Sequence, residues 1–317
     1  MRQGPRRGPI ILNFQFSIFN FPLPCHLIFS VMNASQNARF AYIRGQIVPV
    51  NDALIHVSDL AIQRGYGIFD FFKISDGHPF FLNDHLDRFF ESARILKLQV
   101  PAQRDEIEQA IHQLISRNDM PASGIKLILT GGYSADGYAP GESNLMLTQH
   151  ALKLPTNEQI EKGVRVITYP YFKEFPAAKS INYMMGIWLL DVLQQERAAD
   201  VLYYHDEVIS EFPRSNIFMV DHSGTLLTPS RNILKGVTRK NVISLASRSM
   251  TVLEKDITRD DLYGAAEVFL TSTTKRILPI VEVDHRVIAN GKPGPIALGL
   301  LSELLQLEKQ DKGIGVA

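Results

Sequence analysis

The sequence predicts an α+β (α/β) protein of two domains, and three observations carry that expectation. Its 317 residues are enough for about two domains. Runs that alternate in the two-residue period of strands are interleaved with apolar residues at helical spacing. Midway, at 151–163, the composition turns polar, with Pro155, Thr156 and Asn157. The expected division is a small α/β domain over 38–154, a linker over 155–163 and a larger domain over 164–310. With 45% hydrophobic and 21% charged residues, the chain has the apolar content for a sizeable core.

Each element has a local reason. Residues 1–31 open with Arg2, Arg6 and Arg7 before an apolar stretch, the outline of a signal peptide. Asn13, Gln15, Ser17 and Asn20 interrupt that stretch, and Pro22 and Pro24 would break a spanning helix. We therefore expect 1–31 to be an extension or misassigned start outside the fold. Phe40 to Ile43, a turn at Arg44-Gly45, and Ile47 to Val50 read as a hairpin. Ile68 to Ile74 is a strand that Ser75-Asp76-Gly77 turns into another at Pro79 to Leu82. Asn83 stands where a helix cap belongs, and Leu86, Phe89, Phe90, Ala93 and Leu96 follow at helical spacing. A second helix is expected over Arg104 to Arg117. Strands at Ile125 to Thr130 and Leu145 to Gln149 flank the Gly-rich loop GGYSADGYAPGES.

Beyond the linker, strands are expected at Val164 to Tyr171, Val201 to Tyr204, Glu207 to Ser210, Ile217 to Val220 and Val268 to Thr271. Helices are expected over Asn182 to Arg197, from Val237, and over Ile296 to Glu308. There is no internal repeat and no low-complexity tract.

Composition narrows the function. Lys plus Arg equals Asp plus Glu at 33 each, so no net field favours nucleic acid or an anionic membrane. The single cysteine, Cys25, excludes an intramolecular disulfide framework, and a reducing cytoplasm is the simplest setting. The nine histidines show no tight ligand spacing, so no metal site is expected. The GxxxxGK[ST], strand-borne GxGxxG and GxSxG motifs are missing, which disfavours nucleotide hydrolysis, a Rossmann dehydrogenase and an α/β-hydrolase. A small-molecule partner remains.

The informative residues are a lysine, a glutamate and scattered anion donors. Lys179 lies in FPAAKSINYMMGIW, between small residues and a strongly apolar helix. Lost hydration there lowers an amine's pKa and frees it for Schiff-base chemistry. An ammonium in solvent at a helix start is the plainer reading of Lys179 alone. Glu211 follows the strand Glu207 to Ser210 and could pair with a protonated pyridine nitrogen, or be a solvated turn residue. Gly236-Val237-Thr238 opens a helix whose N–H groups can hold a phosphate. LTSTT at 270–274 adds hydroxyl and amide donors.

In this order and at these separations, AAKSINY, VISEFPRSNIFMV, LLTPSRNILKGVTRK and EVFLTSTTKRILPIVEVD resemble the fold-type IV, or class IV, pyridoxal-phosphate aminotransferases. That superfamily includes branched-chain and D-amino-acid aminotransferases and aminodeoxychorismate lyase. RGYGIFDFFKI and FLNDHLDRF are similar to its small domain, and the resemblance spans about residues 40–308. Pro213 stands where a small residue is usual, and the loop Thr228 to Leu234 is slightly short. The resemblance implies a small N-terminal α/β domain and a larger domain with a β-barrel-like sheet and flanking helices.

Carried over by residue, the resemblance makes Lys179 the lysine that forms the internal aldimine with pyridoxal 5′-phosphate and moves the proton. Glu211 would face the pyridine nitrogen, and Arg88, in HLDR, would hold the phosphate. Val237, Thr238 and Thr273 would add donors, and Tyr183 would reach the phenolic oxygen. The implied reaction is ping-pong transamination between an L-amino acid, branched-chain or related, and a 2-oxo acid. A β-eliminating lyase of the aminodeoxychorismate type is the alternative, because the KSIN spacing resembles the lyase and D-amino-acid branches. A D-amino-acid aminotransferase and a non-catalytic homologue are further alternatives. Gly131 and Tyr133 stand where D-amino-acid enzymes place an Arg and a His, which speaks against D-specificity. Arg64, Phe69, Tyr133 and Thr274 are candidate substrate contacts. Arg64 offers a cation for a carboxylate, or an arginine paired across a subunit contact. A homodimer is implied, with the Gly- and Tyr-rich loop reaching across.

Overall fold

The computed structural model describes residues 38–313, so the expectation for residues 1–31 lies outside the described residues. The chain enters on β1 (Phe40–Ile43) and β2 (Gln46–Pro49). Arg44 at φ 48° and Gly45 at φ 80° give this hairpin the two left-handed residues that a tight strand-to-strand turn requires. Helix α1 (Leu60–Arg64) leads into the long strand β3 (Gly67–Ser75) and the brief β4 (His78–Pro79). Helices α2 (Leu82–Ile95) and α3 (Arg104–Asn118) follow, then β5 (Ala122–Thr130) and β6 (Leu145–Ala151). The six strands form one antiparallel sheet in the order β2-β1-β6-β5-β3-β4.

Alternation along β3 decides what each face of this sheet does. Ile68, Phe72 and Ile74 point to the helix side and are fully buried against Leu86, Phe89 and Ala93 of α2 and Ile107, Ile111 and Leu114 of α3. Phe69 and Phe71 point the other way, into a cleft. The opposed directions of Phe69 and Phe72 thus agree with the sequence.

After α4 (Asn157–Lys162), a second sheet begins at β7 (Val164–Pro170). Helices α5 (Met184–Trp188) and α6 (Leu190–Gln195) precede β8 (Val201–His205), β9 (Val208–Ile209), β10 (Asn216–Val220) and β11 (Leu226–Thr228). Next come α7 (Val237–Ala246), β12 (Val252–Glu254), α8 (Arg259–Tyr263), β13 (Glu267–Ser272) and β14 (Arg276–Val283). The short β15 (Arg286–Val287) and helix α9 (Pro295–Asp311) close the chain. The order is β12-β11-β10-β13-β14-β7-β8-β9, with β15 against β14. Phe218, Phe269 and Ile277 pack on Val242 and Leu245 of α7 and Leu300 and Leu304 of α9. Their alternate neighbours Ile217, Val268 and Leu278 bury on the other face with Leu262 of α8. A buried ion pair, Lys73 Nζ to Glu308 Oε2 at 2.5 Å, ties β3 to α9.

Four sequence expectations change. The strand expected at 79–82 shrinks to His78–Pro79, because Phe81 turns left-handed (φ 51°) and α2 starts at Leu82. Asn83 therefore lies inside the first turn, and no side chain caps this helix. The polar stretch 155–163 holds α4, stabilised by a reciprocal cap between Thr156 and Gln159. The helix expected over 182–197 is two short helices that meet at the buried Leu189. Sequence reading also passed over β11, β12, β14 and β15, of which all but β14 are three residues or shorter.

Candidate active site

Lys179 is not at a helix start. It lies in an extended segment laid against the first residues of β3. The Phe69 N–H donates to the Lys179 carbonyl at 2.9 Å, and the Ile181 N–H to the Gly67 carbonyl at 3.0 Å. The Lys179 N–H donates to Ser92 Oγ of α2 at 3.1 Å. This pinning fixes the side chain in the cleft, where Nζ lies 4.6 Å from the centroid of the Phe69 ring. Burial, and after it the nearby Arg88 cation, push the Lys179 amine down to about 7.

Arg88 reaches the same cleft from α2. Its guanidinium forks onto Asp70, with Nε to Oδ2 at 2.7 Å and Nη2 to Oδ1 at 2.8 Å. His85 Nδ1 also meets Asp70 Oδ1, at 2.7 Å. Burial pushes the Asp70 carboxyl up, but Arg88 and then His85 outweigh it and hold it well below the usual carboxylate range. Burial pushes His85 down despite Asp70. Neither Asp70 nor His85 was singled out from sequence. The signal was there: an acidic residue interrupts the inward-facing apolar positions of β3, in GIFDFF.

Glu211 arrives from the turn after β9 and is buried. Its Oε1 accepts from Lys173 Nζ at 2.7 Å. Its Oε2 accepts from the Leu234 N–H at 2.9 Å and from Asn216 Nδ2 at 3.3 Å. Three donors thus fix the carboxylate at the cleft wall. Tyr183 stands opposite, edge-on to Phe69 with centroids 5.5 Å apart. Burial, then Glu211, push its phenol upward, so it stays protonated at neutral pH.

At the other end, α7 presents its N-terminus at Gly236, and no side chain caps it. Val237 and Thr238 line the cleft there, with Thr273 and Thr274 from the end of β13. Uncapped N–H groups and hydroxyls of this kind suit an anion. Two further cleft hydroxyls, Ser215 Oγ and Thr271 Oγ1, are buried without a hydrogen-bond partner. Orphaned donors beside a lysine, an arginine and an uncapped helix fit a phosphorylated aromatic aldehyde.

Two sequence candidates are not brought to this cleft by the chain itself. Arg64 is exposed in the last turn of α1, its Nη1 on the Gln63 carbonyl at 3.2 Å. Tyr133 lines a separate cavity, with the Arg44 guanidinium 4.8 Å from its ring centroid. Among the described residues, no group of three or more His, Cys, Asp or Glu gathers as a metal site, and no helix is long and apolar enough to cross a membrane.

The family model described as amino-transferase class IV matches residues 67–283. A putative branched-chain-amino-acid aminotransferase of Methanocaldococcus jannaschii is 32% identical over 266 residues, 80% of this chain and 91% of that protein. A D-alanine aminotransferase of Listeria monocytogenes is 30% identical over 81% of this chain and 92% of its own length. Among solved structures, the T.th. branched-chain amino acid aminotransferase with pyridoxamine 5′-phosphate superposes with a TM-score of 0.80. It is 26% identical, and the match covers 88% of this chain and 96% of that one. The branched-chain aminotransferase of Thermoproteus uzoniensis with norvaline gives 0.77 at 25% identity, over 87% and 95%.

Proposed function

Because the chain belongs to the class IV aminotransferases, we propose that it moves an amino group between an L-amino acid, branched-chain or related, and a 2-oxo acid. The observation that carries the reading is the convergence of Lys179, Arg88 and Glu211 from three separate segments on one cleft. Bound pyridoxal 5′-phosphate supplies the aldehyde that carries the amino group and the ring that accepts electrons from the substrate's α-carbon.

The chain's own residues do the rest. Arg88, the N–H groups of Val237 and Thr238, and the Thr238 and Thr273 hydroxyls would hold the phosphate. Glu211 would keep a proton on the pyridine nitrogen, and Tyr183 would donate to the phenolic oxygen. Lys179 is the nucleophile and the general acid/base, and an amine poised near pH 7 can both take and return the α-proton. Phe69 and Thr274 would flank the substrate. Arg64 and Tyr133 would act only across a homodimer, the assembly this reading includes. Its support is an exposed apolar surface on α5 and α6, with Met184, Ile187, Trp188 and Leu190 in solvent. The small domain over 38–154 and the large one over 164–310 then each carry one wall of the cleft.

D-alanine aminotransferases among the relatives favour a second reading, transamination of D-amino acids. The test is a screen of both enantiomers of amino donors against several 2-oxo acids, on protein loaded with pyridoxal 5′-phosphate. Ping-pong kinetics with L-leucine, L-isoleucine or L-valine are expected. Turnover confined to D-amino acids would replace the first reading by the second. Pyruvate release from aminodeoxychorismate without an amino acceptor would replace both by a lyase.

A further inference from the structure

Every substrate of such a transamination carries a carboxylate beside the reacting carbon, and a charge that leaves water must be met by another. Four basic side chains line the cleft: Arg88, Lys173, Lys179 and Arg214. Three are committed. Arg88 is engaged by Asp70 on two nitrogens. Lys173 is paired with Glu211 at 2.7 Å. Lys179 is the reacting amine. Arg214 makes no ion pair with any carboxylate among the described residues, and its side chain is exposed. Lys126 also lacks an ion-pair partner among those residues, but it does not line the cleft.

The backbone around Arg214 is fixed. Phe212, Pro213 and Ser215 are buried on either side of it, and the Phe212 N–H donates to the Ser215 carbonyl at 2.9 Å across the turn. The ring of Pro213 locks φ one residue before Arg214. Arg214 is thus a cation carried on a rigid turn, three residues after Glu211. Its charge reaches Tyr183, where it opposes the upward push of burial.

We propose that Arg214 is the specificity-determining residue of the cleft and receives the α-carboxylate of the amino acid and of the 2-oxo acid. The inference rests on the transamination reading. A planar guanidinium can take a carboxylate through two parallel hydrogen bonds, which a lysine cannot copy. The proposal therefore assigns the cleft to α-amino acids and 2-oxo acids over simple amines and aldehydes.

The test uses the wild type, Arg214→Met and Arg214→Lys, each loaded with pyridoxal 5′-phosphate. Calorimetry with 4-methylvalerate, a carboxylate with no amino group, reads the contact without turnover. Arg214→Met is expected to weaken that binding on the order of 10²-fold, the scale of a lost hydrogen bond to a charged group, and to raise KM for the amino acid more than it lowers kcat. Arg214→Lys is expected to restore part of both. An affinity for 4-methylvalerate within about threefold of wild type in Arg214→Met would overturn the assignment. So would a loss seen only with dicarboxylic substrates such as glutamate, which would place a side-chain carboxylate on Arg214 instead. If the wild type transaminates no donor, the transamination reading fails and this one with it. If it transaminates and Arg214→Met behaves as wild type, only the Arg214 assignment fails.

Discussion

Arg88 grips Asp70 through two hydrogen bonds of 2.7 and 2.8 Å, and both groups sit where β3 meets α2. This pair orients a cleft arginine from behind, leaving one guanidinium nitrogen uncommitted to the carboxylate. Asp70→Asn strips a buried charge from Arg88 and His85, a change that costs about 3 kcal/mol when one partner of a buried pair is removed. Urea unfolding at pH 7 measures it, and equilibrium dialysis against pyridoxal 5′-phosphate is expected to show weaker binding. The folded pKa of Asp70 is depressed below its unfolded value of about 3.9. Its stabilisation is therefore present above about pH 4 and lost as the pH falls further, a dependence that Asp70→Asn should flatten.

Lys179 gives a slope of the same sign in a higher pH window. Its folded pKa is about 7, against about 10.4 unfolded. Between those values the unfolded chain binds more protons, so cofactor-free protein gains stability from this group as pH rises from about 7 to 10. Lys179→Met is expected to remove that rise. Chemical unfolding of both proteins across this range checks it. A small aldehyde with cyanoborohydride at pH 7 should label Lys179 ahead of exposed lysines.

Much of this could be read from sequence because it depended on local periodicity. The apolar stripe of α2, the alternation of β3 and the helix start at Val237 follow from spacing alone. Lys179, Glu211 and Arg88 needed the family resemblance, since each is an ordinary charged residue until a fold brings them together. Asp70 and His85 were missed because their value lies in a contact between strand and helix, 15 residues apart. The extended backbone around Lys179 was not legible for a similar reason. Its extended segment is set by hydrogen bonds to Gly67 and Phe69, more than 100 residues earlier, and leaves no local pattern.

Gly236 should tolerate no side chain. Its backbone is ordinary (φ −65°), but a Cβ there would meet Asn216 Oδ1 at 2.2 Å. Asn216 Nδ2 donates to the Leu234 carbonyl at 2.8 Å and steadies the loop before α7. Gly236→Ala is expected to weaken cofactor binding about tenfold or more through loss of that hydrogen bond and the shift of the helix start. The dissociation constant for pyridoxal 5′-phosphate measures this.

The apolar surface around Trp188, 64% exposed in the single chain, is expected to be covered in solution by a second copy. Sedimentation should give a dimer, and paired changes Ile187→Glu and Trp188→Glu should shift it to monomer. A monomer with full activity in the wild type would remove the assembly from the account. Tyr133→Ala with Tyr138→Ala should lower activity if the loop reaches across, and wild-type kinetics would remove that part alone.

The central claim is that Lys179 is the residue that joins the cofactor. Reduction of the loaded protein with borohydride, followed by proteolysis and mass spectrometry of the peptides, tests it directly. One phosphopyridoxyl group is expected, carried on Lys179, and none in Lys179→Ala. Attachment at Lys126 or Lys173 with Lys179 unmodified would contradict it.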